Sequence, residues 1–204
     1  MLYIIPTPIG NLRDITVRAL DVLKEVDLIA CEDTRQTDKL LHHYEIKKPL
    51  ISFHEHSGSG RLHEIIHALG EGKSVALVSD SGTPLISDPG FPIVREAIRK
   101  GISVEALPGP CAVITALAAS GLSAIRFTFM GFLSNKSAAR RKELGQMIER
   151  EETLIFYESP FRLLKTLEDM NTVFGNREAV AARELSKKFE EIARGYFSEL
   201  IEKF

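Results

Sequence analysis

The sequence has little of what marks several classes of protein. Only two cysteines occur among its 204 residues, Cys31 and Cys111, and they form no C-x-x-C pair. We therefore expect two thiols rather than a disulfide, and no structural zinc site. No apolar run approaches the roughly 20 residues that span a bilayer. The first residues, MLYIIPTPIG, carry no basic start and no cleavage site, so we predict a first strand, a cytoplasmic location and no membrane partner.

Phosphate-loop and metal motifs are also scarce. Neither G-x-G-x-x-G nor G-x-x-x-x-G-K-[ST] occurs, and HSGSGRLHEII matches the first pattern only in part. His63 and His67 flank Glu64 at H-E-x-x-H spacing, but the apolar stripe that includes Leu62 and Ile66 leaves both histidines on the polar side, so we predict no metal. The formal net charge of −2 argues mildly against a nucleic-acid binder, although a local basic patch can supply phosphate contacts.

What the sequence does contain is an alternation of short apolar runs and amphipathic stretches. Runs such as Leu2–Ile5 and Ser74–Ser79 have the length of strands, and the stretches between the runs place apolar residues at helical spacing. This pattern predicts βαβ units, and hence an α/β fold with mostly parallel strands. A Pro-Gly-Pro turn and a small-residue helix near residues 108–126 mark the predicted domain boundary. We assign residues 1–115 to an N-terminal α/β domain and 116–204 to a C-terminal α/β domain.

Four loops that follow predicted strands are rich in turn-forming and small polar residues. They are PTPIGN (6–11), CEDTR (31–35), SDSGTPLISDPG (79–90) and PGPC (108–111). Turns and helix caps explain each loop taken alone. Parallel strands, however, bring their carboxyl ends to one edge of a sheet, where open α/β sheets bind ligands. The sequence therefore predicts a ligand site at this edge, with glycines that let a ligand approach the backbone.

The second half of the chain carries charged segments of interest. NKSAARRKELG begins a predicted helix with four cations, which form either a solvated face or a phosphate-binding patch. LIFYESPFR and AARELSKKFEE end two further predicted strands, the first with Glu158 and the second with Arg183 and Glu184.

Eight segments carry a resemblance to a known family. In order along the chain they are LYIIPTPIGNLRDIT, CEDTR, FHEH, VALVSDSGTPLISDPG, PGPCA, FMGFL, FYESPFR and ARELSKKFEE with a later RG. Together they resemble the ribosomal RNA small subunit methyltransferase I family, which belongs to the tetrapyrrole-methylase-like superfamily. The match runs from Leu2 to Gly195. The family usually continues beyond the position of Phe204, so we expect the C-terminal domain to be truncated relative to it.

The resemblance implies a fold and an activity. It implies two α/β domains with S-adenosylmethionine in a cleft between them, and a homodimer. The implied reaction is 2′-O-methylation of a cytidine ribose in 16S ribosomal RNA of the small ribosomal subunit. PTPIGN replaces the Gly-rich first loop of tetrapyrrole-modifying relatives, which favours the RNA branch. Two alternatives stay open: a methylase of a small molecule, either a tetrapyrrole or a modified amino acid, and a fragment that binds cofactor or RNA without chemistry.

The motif positions also imply which residues form the site. Residues that would bind S-adenosylmethionine are Ile9, Gly82, Thr83, Pro84, Ile86, Ala112, Val113, Phe156, Tyr157 and Leu185. From charge and position we predict that RNA contacts Arg35, Lys136, Arg140, Arg141 and Lys142.

Methyl transfer to a ribose hydroxyl gains from a general base or a neighbouring cation. Carboxylates at the loop positions are Glu32, Asp33, Asp88, Glu158 and Glu184. Helix capping or pairing with arginine is the alternative explanation of each one. Our catalytic candidates are Glu158, Arg183 and Asp88.

Overall fold

The computed structural model describes residues 1–54 and 57–204. Glu55 and His56 of the FHEH segment lie outside the described residues. Two compact units are present, Met1–Cys111 and Ala112–Phe204, which we call unit 1 and unit 2. The boundary predicted after residue 115 falls in the first turn of the helix that opens unit 2.

Unit 1 alternates strands with helices, as the apolar pattern predicts. Polar side chains cap its first two helices: Thr16 accepts from the backbone N–H of Ala19, and Asp33 accepts from that of Arg35. The elements are β1 (Leu2–Ile5), α1 (Val17–Glu25), β2 (Leu28–Cys31), α2 (Thr34–His43), β3 (Leu50–Ser52), α3 (Ser59–Gly70), β4 (Val75–Val78), α4 (Phe91–Arg99) and β5 (Val104–Ala106).

The five strands of unit 1 form one parallel sheet in the order β3-β2-β4-β1-β5. Helices cover both faces, so the strands are almost continuously apolar. Ile5, Ile29 and Val78 pack in a core on one face, and Leu2, Ala30 and Leu77 pack in a core on the other, because successive side chains alternate across a strand. The predicted α/β class and the parallel pairing are confirmed.

The order of the strands creates a crevice between β1 and β4. These two strands are neighbours, yet the helices that follow them lie on opposite faces: Leu23 of α1 belongs to the first core, and Ile93 of α4 belongs to the second. Ligands of open α/β sheets bind outside the carboxyl ends of strands at such a point. The loops after β1 and β4 are PTPIGN and SDSGTPLISDPG.

Unit 2 contains two small sheets and four helices among the residues that the structure describes. Strands β6 and β7 are parallel, and β8 and β9 form an antiparallel pair with Arg183 opposite Glu191. The sequence did not predict β9. The elements are α5 (Ala112–Ser120), β6 (Phe127–Phe132), α6 (Ser137–Gly145), β7 (Thr153–Tyr157), α7 (Leu163–Phe174), β8 (Glu178–Arg183), β9 (Glu191–Tyr196) and α8 (Phe197–Lys203).

Helices α6, α7 and α8 share a core in unit 2 that includes Leu144, Leu167 and Leu200. Arg194 of β9 closes the end of α5, because its guanidinium donates to the carbonyl oxygens of Ser120 at 2.9 Å and Ala119 at 2.5 Å. Within residues 1–54 and 57–204, no helix has the length and apolar character to cross a membrane.

Candidate cofactor and active site

The loops after β1 and β4 are joined by a reciprocal pair of backbone hydrogen bonds. The N–H of Thr7 donates to the carbonyl oxygen of Gly82 at 2.9 Å, and the N–H of Gly82 donates to that of Thr7 at 3.0 Å. The buried hydroxyl of Thr7 also donates to the carbonyl oxygen of Ser79 at 2.9 Å. The two loops are therefore held as one surface.

The other two predicted loops are tied to this surface. The hydroxyl of Thr83 donates to the carbonyl oxygen of Pro110 at 2.9 Å, and a carboxylate oxygen of Asp80 accepts from the N–H of Asp33 at 3.1 Å. A Cβ at Gly109 would lie 2.8 Å from Cβ of Pro6, so only glycine fits there. The prediction that all four loops meet at one edge of the sheet is confirmed.

Gly82 is a second glycine of these loops at which a side chain would be strained. Its φ of +85° is a conformation that side chains rarely adopt, and a Cβ there would lie 3.3 Å from Cγ2 of Ile9. Nearby, Pro84 is buried, Ile9 and Thr83 are partly buried, and Ile86 is exposed. The five predicted cofactor residues of unit 1 thus lie on the connected loops, and the glycine among them is buried.

Backbone strain is concentrated in two of the loops. Of the five non-glycine residues with positive φ in the described chain, Leu85 and Ser87 lie after β4, and Glu184 and Ser186 lie between β8 and β9. Such conformations cost free energy and cluster at functional sites. Both segments were singled out by the sequence.

Asp88 has the most unusual electrostatics in unit 1. Burial, and to a smaller extent repulsion from Glu32 and Asp80, raises the pKa of its carboxyl to about 6. A hydrogen bond from Ser79 acts in the opposite direction. A carboxylate with this pKa accepts a proton near neutral pH much better than an ordinary aspartate. Asp80, which the sequence analysis did not select, could have been found from its position directly after the strand end.

Asp33 and Arg35 have local partners in the CEDTR loop. Asp33 caps α2, and it also accepts two hydrogen bonds from the guanidinium of Arg35, at 3.0 and 2.7 Å. Hydrogen bonds from Arg35 lower the pKa of the Asp33 carboxyl to about 2. Asp33 therefore has the capping role that we gave as its alternative, and the exposed Arg35 keeps one face available for phosphate.

The predicted cofactor residues of unit 2 lie at the ends of secondary-structure elements. Ala112 and Val113 begin α5, Phe156 and Tyr157 end β7, and Leu185 follows β8. All except the buried Val113 are partly exposed. The four partly exposed residues therefore present surface at or just beyond the ends of their elements.

Glu158 is held by donors on every side of its carboxylate. It accepts from the hydroxyl of Thr166 at 2.7 Å and the N–H of Ser159 at 2.8 Å, and it pairs with Arg162 at 3.2 Å. Its side chain is only 8% exposed. Arg162 in turn donates to the carbonyl oxygens of Leu133 and Ser134. These contacts indicate a residue that shapes the ESPFR turn.

Arg183 also has a strong local partner. Its Nε donates to a carboxylate oxygen of Glu191 at 2.5 Å across the β8–β9 pair, and its guanidinium lies 5.7 Å from the centre of the Phe204 ring. The side chain remains 62% exposed. A phosphate could still reach it, although pairing with Glu191 reduces its free charge.

Arg140 does not lie on the predicted basic surface. Its side chain is 3% exposed and pairs with Asp169 at 2.6 Å, while Nε donates to the same carboxylate at 2.8 Å. The structure therefore corrects the assignment of Arg140 to RNA, because a guanidinium enclosed in this way cannot contact a substrate. The exposed cations of α6 and its start are Lys136, Arg141 and Lys142, which we call the α6 patch.

The histidines predicted not to bind metal have other contacts. Nδ1 of His63 lies 2.8 Å from the carbonyl oxygen of Ser59, and His67 lies beside Glu71. In the part of the chain that the structure describes, no three His, Cys, Asp or Glu side chains form a metal-binding group.

Comparison with known proteins identifies the class. The family model described as tetrapyrrole (corrin/porphyrin) methylases matches residues 1–201. Two solved structures share the fold: diphthine synthase, at 17% identity and a TM-score of 0.75 over 98% of this chain and 83% of that one, and cobalt precorrin-4 methyltransferase, at 19% identity and 0.67 over 99% and 87%. The chain is thus a methyltransferase of the tetrapyrrole methylase class that uses S-adenosylmethionine.

Curated relatives specify the family within that class. The ribosomal RNA small subunit methyltransferase I of Bacillus subtilis is 53% identical over 201 residues, which are 98% of this chain and 69% of the relative. The protein of that name from Thermotoga maritima is 50% identical over 203 residues, 100% of this chain and 91% of the relative. The chain belongs to the ribosomal RNA small subunit methyltransferase I family, as the resemblance indicated.

The loops of unit 1 are compatible with S-adenosylmethionine. A side chain at Gly82 would fill the space against Ile9, and the surrounding loops carry polar backbone and small side chains. Such a surface suits the polar edges of a nucleoside and an amino acid group. The predicted cofactor residues Ile9, Gly82, Thr83, Pro84 and Ile86 lie on these loops.

The buried pair of unit 2 gives a stability prediction. Arg140→Ala should destabilise the fold by about 3–5 kcal/mol, because it leaves Asp169 buried without its main partner. Arg141→Ala, at a side chain 49% exposed and 3.6 Å from Asp169, should cost less than about 1 kcal/mol. Urea denaturation of both variants measures the difference, and equal losses would contradict a structural role for Arg140.

Proposed function

We propose that this chain transfers a methyl group from S-adenosylmethionine to the 2′-hydroxyl of a cytidine ribose in 16S ribosomal RNA. The observation that carries the proposal is 50–53% identity, over 94–100% of the chain, to relatives named ribosomal RNA small subunit methyltransferase I. The substrate named for those proteins is the small-subunit ribosomal RNA.

A small-molecule substrate has weaker support. The neighbours that bear small-molecule names, such as cobalt precorrin-4 methyltransferase, share only 19% identity and hence the fold alone. Relatives at 52–53% identity carry the ribosomal RNA name. A fragment that binds without chemistry is the remaining alternative, and the activity experiment below separates it from the proposal.

The chemistry divides between cofactor and protein. S-adenosylmethionine, when bound, supplies a methyl group that its sulfonium has already activated. The protein aligns the ribose hydroxyl and accepts its proton. Asp88 is the best proton acceptor of the three candidates, because burial and neighbouring carboxylates raise its pKa to about 6. Glu158 and Arg183 are already engaged with Thr166 and Glu191, so we assign them to positioning.

The α6 patch and Arg35 are proposed to hold the RNA backbone. Lys136, Arg141 and Lys142 project from one short segment. The carboxylate of Asp169 nearby already accepts hydrogen bonds from the Ser137 hydroxyl and from Arg140. Exposed lysines and arginines contact phosphates without reading sequence. We further propose that the protein acts as a homodimer in the cytoplasm, as the family resemblance implies.

The activity itself is the first test. We expect the chain to incorporate labelled methyl groups into small ribosomal subunits taken from cells without this modification, with 2′-O-methylcytidine recovered after digestion.

Gly82→Ala should weaken cofactor binding roughly tenfold by calorimetry, because strain at φ +85° and contact with Ile9 distort the loop. Gly101→Ala, at φ +70° with nothing near its Cβ, is the matched control. Cofactor binding without any transfer to RNA would leave only a binding module.

The pH dependence tests Asp88. If Asp88 must be ionised to accept the proton, the wild-type kcat should fall about tenfold per pH unit below about 6 and level off above it. The Asp88→Asn variant should have a low kcat that does not fall further below about pH 6. Glu32 faces the carboxyl from the CEDTR loop, and Asp80 faces it from within the loop that carries Asp88. His54 lines the adjacent cavity, so His54→Gln serves as the control, and its kcat should still fall below about pH 6. An unchanged profile in Asp88→Asn would exclude Asp88 as the base.

The α6 patch predicts salt-dependent RNA binding. Reversing three charges with Lys136→Glu, Arg141→Glu and Lys142→Glu should weaken RNA binding and reduce the dependence of log K on log salt by roughly 2–3 units. Cofactor affinity should not change. A control with the same change in net charge reverses three exposed lysines of unit 1: Lys24→Glu, Lys47→Glu and Lys100→Glu. Equal salt slopes in both triple variants would remove the patch from the RNA interface.

A further inference from the structure

Unit 1 contains a cavity that adjoins Asp88 and the connected loops. Its volume is about 280 Å³, and it lies between the start of α3 and the start of α4. Sites for drug-sized molecules occupy roughly 300–1,000 Å³. This cavity is therefore suited to one small ring system and is too small for a whole cofactor.

The walls of the cavity are mainly apolar, with an aromatic ring at the opening. Phe53, Leu62 and Pro89 contribute apolar surface, and Phe91 lines the cavity while remaining 63% exposed. An exposed phenylalanine costs free energy in water unless a partner covers it. A flat apolar wall of this kind is the surface on which unstacked nucleic-acid bases stack.

Polar groups occupy only part of the wall. Oγ of Ser57 accepts the backbone N–H of His54 at 2.8 Å, which leaves its own hydrogen to donate to a ligand. Asp88 lies at the boundary between the cavity and the SDSGTPLISDPG loop. A ring with acceptor atoms at its edge would therefore find a donor in Ser57 and a carboxyl group in Asp88.

We propose that this cavity holds the base of the target cytidine, unstacked from the RNA and packed against Phe91. The assignment rests on the proposed function, because only a nucleic-acid substrate brings such a base to this edge of the sheet. Enzymes that do chemistry on a base draw it out of its stack, and we extend that movement here to a ribose. With the base in the cavity, the 2′-hydroxyl stays next to the carboxylate proposed to accept its proton.

A binding cycle tests the proposal with two RNA hairpins of the small-subunit decoding region. One carries the target cytidine, and the other lacks that base but keeps the ribose and its 2′-hydroxyl. Fluorescence anisotropy gives the affinity of each for the wild type and for Phe91→Ala. We expect Phe91→Ala to bind the cytidine hairpin roughly tenfold more weakly and the abasic hairpin as the wild type does. Phe91→Tyr, which keeps the ring, should restore the affinity.

Ile98 provides the matched control, because it is also 63% exposed and lies on the same helix. Ile98→Ala should bind both hairpins like the wild type, and cofactor affinity should be unchanged in all variants. If Phe91→Ala behaves like Ile98→Ala, or loses the same affinity for both hairpins, the cavity does not hold the base. Methylation of small subunits by the wild type in that case would leave the proposed function intact, whereas absence of methylation would overturn the function separately.

Discussion

The reciprocal backbone hydrogen bonds between Thr7 and Gly82 are the contact on which the candidate site of unit 1 depends. They join the loops after β1 and β4, two neighbouring parallel strands whose helices cover opposite faces of the sheet. The bond pair requires Gly82 at φ +85°, so the identity of one residue controls how the loops meet. Thr83 and Asp80 extend the connection to the other two loops. The sheet fixes the strand ends, and these hydrogen bonds turn four separate loops into one surface.

The contacts of Glu158, Arg183 and Asp88 distinguish these three catalytic candidates. Glu158 is surrounded by donors that stabilise its charge, and Arg183 is paired across a strand with Glu191. Asp88 instead lies near Glu32 and Asp80, whose charges oppose its ionisation. Folding alone would not favour three carboxylates around one loop, and groups with perturbed pKa values of this kind cluster at functional sites.

Much of this arrangement could be predicted from the sequence, and the failures have identifiable causes. The meeting of the four loops follows from parallel strands, whose carboxyl ends must share an edge. The burial of Arg140 does not follow from a run of cations, because only the helix phase places Arg140 on the face of Leu144, four residues later. Strand β9 was missed because its sequence, EIARGY, has too little apolar alternation, and its pairing with β8 defines it. Burial next to Glu32, which lies far from Asp88 in sequence, is a tertiary property that no local pattern contains.

Leu85 and Ser87 lie in left-handed backbone conformations within the loop that carries Gly82 and Asp88. Each such residue costs of the order of 1 kcal/mol or more, which the surrounding contacts must offset. Glycine in either place would relax that backbone in the folded state while giving the unfolded chain more freedom. Selection for thermal stability would therefore favour substitutions that relieve the backbone strain in this loop. The cofactor is also proposed to recognise the shape of this loop. Variants stabilised by substitutions there would therefore have lower activity.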